Sequence, residues 1–428
     1  MRVCATLPLP GRDLRLDLFR GLANWAIFLD HIPHEVMSSI TTRNYGFSDA
    51  ADLFVFISGY AAACVFGRIM VEQGCVAAAS RLVKRASKLY AAHLILLVVY
   101  IATVGCVSRG LHDPDDLSQF NVAVFMSNPL WELWQALLLR YKPVNLDVLP
   151  LYILLLGTFA PALWLMVRKP TLTLVCSASL YFAARHFGWN LAASPSGLWY
   201  FNPFAWQLLF VLGAWTALGG TRAIQSIIRT RTVFCLAVTY ISFAFVVTTA
   251  THAPELGNLL PHWTLEPFDP NDKTNLAPYR VAHLIAIAVV ITRLLAADSP
   301  LLQWRLLTPL IKCGQNSLGV FCVGIVLAFC AHAAIETGLN SLWVQIFVGT
   351  IGILFLTASA YYWAWSKRQD RLLVSRVFAA VVEGMQRIHR PPSRRFRRRG
   401  RSCDLPVPSR TRRSARFFRL QWLSSPSA

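Results

Sequence analysis

The residues best suited to chemistry share one short stretch, RLDLFRGLANWAIFLDH at 15–31, where Asp17, Arg20, Asn24, Asp30 and His31 interrupt an apolar run. With an unperturbed pKa near about 6.5, histidine can take a proton from a hydroxyl that is a poor nucleophile at neutral pH. A neighbouring carboxylate can fix the imidazole tautomer and stabilise the imidazolium, so Asp30 is the expected orienting group for His31. On a helix turning about 100° per residue, Asp17, Arg20 and Asn24 fall within about 40° of His31, while Trp25, Ile27, Phe28 and Leu29 point elsewhere. Such a stripe is costly against lipid and is expected to line an interior cavity. Arg20 and His31 stand about 16 Å apart along the helix and cannot touch. That separation suits a two-ended donor such as an acyl-coenzyme A, with phosphates at Arg20 and a thioester near His31. Structural hydrogen bonding is the usual role of an isolated histidine in a span; the adjacent acid and aligned arginine favour catalysis here. A metal site through His31, His34 and Glu35 is the weaker alternative, because Pro33 interrupts the helix that would align them.

These side chains need a membrane scaffold. The 428 residues are 55% hydrophobic and 14% charged, against roughly 25% charged in soluble domains. Ten apolar segments lie near 14–33, 52–70, 89–107, 148–167, 171–187, 203–219, 233–250, 279–297, 314–336 and 342–365, each near the ~20 residues that cross a bilayer. The expected fold is therefore all-α: a polytopic membrane helical bundle of about ten transmembrane helices. The stretch NPLWELWQALLLR at 128–140 reads as an amphipathic surface helix. The opening MRVCATLPLP has no long apolar core, so the first span is expected to serve as the targeting signal.

Arginine and lysine favour one set of loops, including Arg12, Arg15, Arg81, Lys84, Arg85 and Lys88, which places both termini in the cytoplasm. The opposite loops collect acids such as Asp49, Asp147, Asp269 and Asp272, and two of them are long, near 108–147 and 251–278. Long outward loops suggest recognition on the far side. The tail beyond residue 366 supplies most of the +20 net charge, with RRFRRRGR at 394–401 as its densest part. It reads as a basic, unstructured cytoplasmic tail against anionic lipid, with no nucleic-acid partner. The division is thus a membrane domain at 1–365 and a tail at 366–428. The cysteines lack metal-type spacing and read as small packing residues, His93, His283 and His332 as structural. No internal repeat suggests an inverted transporter architecture.

Together with NYGFSDAADLFVFISGY at 44–60, the first stretch closely resembles the OpgC family, which lies within the acyltransferase-3 group of integral-membrane acyltransferases. Further similar segments are NLDVLPLYILL at 145–155, FNPFAWQLLFVLGAW at 201–215, NLAPYRVAHLIAIA at 275–288 and GQNSLGVFC at 314–322, in matching order from about 12 to 365. The resemblance implies a multi-pass inner-membrane protein that carries a succinyl group from cytoplasmic succinyl-CoA, as co-substrate, to hydroxyls of osmoregulated periplasmic glucans, with no permanently bound cofactor and no metal. By the wider group's arginine, ten residues, histidine motif, His31 is the catalytic residue and Arg20 a donor-binding one; Ser58, Gly59 and Tyr60 match the second-span signature. Arg15 and Asn24 are expected beside the donor. Asn44, Tyr45, Asp49, Asp52, Ser58 and Asn316 are expected on the substrate side, with Ser317 beside Asn316. Pairing of Asp52 with an interior cation, or a capping role for Asn316, are the structural alternatives. Acetyl or other acyl transfer to another envelope polysaccharide or glycolipid remains open, as do an anionic-solute or glucan transporter and an inactive scaffold.

Overall fold

The computed structural model describes residues 12–33, 35–111, 115–257, 261–337 and 341–388. Among them every regular element is a helix, and strand-like pairing is limited to two isolated bridges, Tyr141 with Ser194 and Ala192 with Leu198. The helices that build the site are α1 (Leu14–Asp30), α2 (Ala50–Gln73), α3 (Cys75–Leu111), α4 (Pro129–Leu137), α5 (Val148–Gly157), α6 (Phe159–Arg168) and α7 (Pro170–Phe187). The second half adds α8 (Pro203–Ala217), α9 (Arg231–His252), α10 (Pro278–Leu294), α11 (Thr308–Gln315), α12 (Ser317–Thr337) and α13 (Leu342–Ile388).

All ten expected segments are helical. Five helices are individually long and apolar enough to cross a membrane: α2, α3, α9, α12 and α13. Helices α5 and α6 make a sixth crossing if their 54° bend is a break within one span. Helices α1, α7, α8 and α10 are shorter or less apolar. In α1 and α10 the reason is visible, because Asp17, Asn24, Arg280 and His283 are polar residues buried against protein.

Helix starts follow local chemistry. Asp13 opens α1 by accepting from the Arg15 N–H at 3.0 Å. At α2 the cap is reciprocal: Asp49 accepts from the Ala51 N–H at 2.8 Å, and Asp52 accepts from the Asp49 N–H at 2.9 Å. Prolines begin α4, α7, α8 and α10, where a missing N–H costs nothing.

Small residues set the closest helix crossings, the usual solution when backbones must approach within a membrane. Gly59 of α2 lies against the Phe210 carbonyl of α8, and Gly213 of α8 against the Phe56 carbonyl of α2; a β-carbon at either would collide with backbone. The same holds where Gly21 of α1 meets Leu310, and Gly314 of α11 meets Asp17. The interior joins these helices to α3, α5 and α12 through fully buried side chains including Trp206, Tyr100, Phe210 and Phe329.

The periphery is apolar and exposed. Trp343, Phe347, Leu354 and Phe355 project from α13, and Leu236 and Val246 from α9, as expected of lipid-facing helices. Leu130, Trp131 and Trp134 are exposed on α4, consistent with an interfacial helix at 128–140. The chain divides into units at 1–365 and 366–428. Helix α13 continues to Ile388, and the arginine-rich 394–401 lies outside the described residues.

Candidate active site

Helix α1 ends at the wall of a cavity of about 630 Å³. Asp30 and His31 both border it, beside Ile27. The imidazole Nδ1 is held by the Ile27 carbonyl, one turn back on the same helix. A carbonyl only accepts, so Nδ1 carries the proton and Nε2 keeps its lone pair. Asp30 does not supply this orientation. Its Oδ1 accepts from the Thr41 hydroxyl at 2.6 Å instead. The correction has a simple cause: as the helix terminates, the His31 ring folds back along its own backbone, while Asp30, about 100° round, faces the returning loop.

That loop, 35–49, is pinned from several directions. Asn44 donates to the Ser38 carbonyl at 2.7 Å, Tyr45 stacks on Phe245, and Phe47 stacks on Phe268 with centroids 4.7 Å apart. His283 of α10 receives both the Ser48 N–H at 3.2 Å and the Ser48 hydroxyl at 2.7 Å on Nδ1. Asn44, Tyr45, Ser48 and His283 thus shape the loop and do not themselves border the cavity.

The loop delivers Asp49 to a charge cluster on the cavity wall. Lys273 reaches Asp49 at 2.6 Å, while Arg280 of α10 contacts Asp49 at 3.3 Å and forms a still closer pair with Asp52. Asp52 is fully buried and lies outside the cavity lining; its structural alternative, pairing with an interior cation, is what the structure contains. Burial opposes ionisation of Asp49, but Lys273 and Arg280 outweigh it and hold the carboxyl below its usual range. Burial likewise works against the Lys273 charge, and Asp49 more than restores it. The segment carrying Lys273 is fastened by three contacts from α7 and α8: Arg185 to the Asn275 carbonyl at 2.7 Å, Tyr181 to the Leu276 carbonyl at 2.7 Å, and Trp206 to the Lys273 carbonyl at 3.0 Å.

Opposite, Asp147 precedes α5 and faces Lys142 at 3.7 Å. Burial pushes Lys142 down to about 8 and Asp147 up, so desolvation outweighs attraction across this loose pair. Lys142 also sits 3.7 Å above the Trp199 ring. Tyr200, Phe201 and Phe268 add aromatic faces to the cavity, and Asn145 and Asn271 add amides. Flat apolar faces interspersed with hydrogen-bonding groups suit a sugar ring.

A second cavity of about 60 Å³ holds Arg20 and Ser58 with Arg85, Tyr152 and Ser317. Arg20 donates to the Ile57 carbonyl at 3.2 Å. The two cationic groups sit apart from His31, as the spacing along α1 requires, and Val148 borders both cavities. Arg15 and Asn24 border neither. Arg15 is engaged by Asp13 and the Leu295 carbonyl, and Asn24 donates to the Arg20 carbonyl at 2.9 Å. Asn316 caps rather than lines, donating to the Lys312 and Ala360 carbonyls, while its neighbour Ser317 borders the small cavity. His34, the middle member of the alternative metal set, lies outside the described residues.

Arg43, Arg85, Asp147, Lys273 and Arg280 were not expected at the site from sequence. A usable signal existed for two of them: Lys273 and Arg280 are cations in a region otherwise rich in acids. A family model described as OpgC protein matches residues 12–368. No curated protein and no solved structure gives a significant match.

Proposed function

The chain belongs to the OpgC family, and on that premise we propose that it transfers a succinyl group from succinyl-CoA to a hydroxyl of a periplasmic glucan. The observation that carries the reading is the division of labour along α1: His31 borders the large polar and aromatic cavity, and Arg20, with Arg85, borders the small cationic one. The arginines would hold the donor's phosphates, for which guanidinium geometry is well matched. The glucan would enter the large cavity from the periplasm. His31 Nε2 takes the proton of the attacking hydroxyl as oxygen bonds to the thioester carbon. Collapse of the tetrahedral species breaks the carbon–sulfur bond, and the proton leaves with the CoA thiol. Asp30, clasped by Thr41, adds negative charge beside the imidazolium without ordering the ring.

This reading places the protein in the inner membrane with ten crossings, both termini cytoplasmic, and the large cavity outward. Support comes from the helical nature of all ten segments and from the lysine and arginine bias of alternate loops.

The test compares periplasmic glucans from cells making wild type, His31→Ala or neither, with membrane levels of each protein measured alongside. Wild type alone should yield anionic, succinylated glucan. Neutral glucan from wild-type cells would remove the assignment. Unchanged succinylation by His31→Ala would remove the base.

A further inference from the structure

Acid–base chemistry at His31 leaves one cation on the large cavity unused. Of the cations there, Lys273 is paired with Asp49, and Arg280 with Asp49 and Asp52. Lys142, just behind the wall, faces Asp147. Arg43 borders the same cavity as His31 and Asp30, and no carboxylate among the described residues pairs with it. We propose that Arg43 receives the terminal carboxylate of the acyl group and so selects dicarboxylic acyl chains, succinyl above all, over neutral chains of the same length. The proposal rests on the acyl-transfer reading above and names the part of that site that reads the acyl tail.

Charge accounting favours this role. The glucan is neutral, and the donor's phosphates belong with Arg20 and Arg85 at the other cavity. The one anion left to arrive near His31 is the acyl carboxylate, two methylenes beyond the thioester carbonyl. It enters a wall that already carries Asp30, Asp49, Asp147 and Asp269. Asp49 and Asp147 are answered by Lys273, Arg280 and Lys142, which leaves those cations committed and Asp30 and Asp269 to repel an incoming carboxylate unless a further cation meets it.

Position and chemistry agree. Arg43 lies in a short 3-10 turn, Thr42–Asn44. One end of that turn is tied through Thr41 to Asp30 at 2.6 Å, the residue before His31. The other end is tied through Asn44 to the Ser38 carbonyl. The turn is thereby tethered near the reacting centre, close enough for the Arg43 charge to act on both Asp30 and His31, while the exposure of Arg43 leaves it room to swing onto a ligand. A planar fork with paired N–H donors matches a carboxylate in two parallel hydrogen bonds, which an ammonium cannot do.

The experiment uses the full chain in detergent with glucan acceptor and compares succinyl-CoA with butyryl-CoA, which has the same carbon count and no terminal charge. Arg43→Gln should lower kcat/KM for succinyl-CoA roughly 10- to 100-fold while leaving butyryl-CoA within about twofold, the size expected for a lost charge-assisted pair. Arg43→Lys should fall between. Equal losses with both donors would overturn the proposal by making Arg43 structural, and so would an undiminished preference for succinyl in Arg43→Gln. If wild type transfers neither group, the acyl-transfer reading fails and this inference falls with it. If wild type prefers succinyl and Arg43→Gln keeps that preference, only the role of Arg43 is lost.

Discussion

His31 is oriented by a backbone carbonyl, and that changes what its neighbour can contribute. The Ile27 carbonyl holds Nδ1 whatever the charge on Asp30. His31→Ala is therefore expected to lose roughly 10²–10⁴-fold in kcat, the usual share of a general base. Asp30→Asn should lose far less, because the ring keeps its tautomer and the amide can still accept from Thr41. Parallel single-turnover measurements decide it; matching losses would show Asp30 acting on the imidazole directly. The placing of His31 and Arg20 on two separate cavities was legible in sequence because it depends on spacing along one helix, which is local information. The partner of Asp30 was not. Thr41 returns to it only through the pinned loop, and the cations that neutralise Asp49 come from Lys273 and Arg280, more than two hundred residues later. Arg15 and Asn24 were expected in the donor site, Asn24 lying on the polar face of α1, but both are engaged elsewhere: Arg15 by Asp13 and the Leu295 carbonyl, Asn24 by the Arg20 carbonyl.

At the scale of elements, the exit of α1 is locked to α13 through a buried acid. Glu35 precedes the 3-10 turn Val36–Ile40 and is 3% exposed. It packs against Gly349, and the Val36 N–H donates to Gln345 at 2.9 Å. Burial pushes its carboxyl up to about 7, despite the backbone N–H groups of Met37 and Ser38. The sign follows directly. Below the ordinary value near 4.5 the group is protonated in folded and unfolded chains alike and costs nothing. As pH rises through 4.5 toward 7 the unfolded chain ionises first, so stability falls, and above 7 the loss is complete. Its ceiling is about 3 kcal/mol at about 1.4 kcal/mol per pKa unit. Glu35→Gln should therefore melt higher than wild type at pH 8 and alike at pH 4.5; an advantage independent of pH would refute the link. Among elements, the apolar runs announced the helices, and GQNS and ISGY carried their crossing glycines in plain view. The 54° break between α5 and α6 was missed, because an apolar run has the same hydropathy straight or bent.

For the whole molecule, the proposed transfer requires the two cavities to open toward opposite compartments. A reporter fused after Ile388 should be active only as a cytoplasmic enzyme, and one inserted near Asp113 only as a periplasmic one. Activity of both on the same side would break the proposed topology and with it the separation of donor from acceptor. One side chain carries a burden that follows from that arrangement. Val148 borders both cavities, so under the proposed topology its isopropyl group would stand where water from the two compartments could otherwise meet. A cell that lives on a proton gradient tolerates no continuous wet path through its membrane, so the proposed topology would give this valine an insulating duty. In sealed vesicles loaded with a pH-sensitive dye, Val148→Gly should dissipate an imposed pH step faster than wild type even with no substrate present. An unchanged decay would mean that other side chains keep the barrier dry.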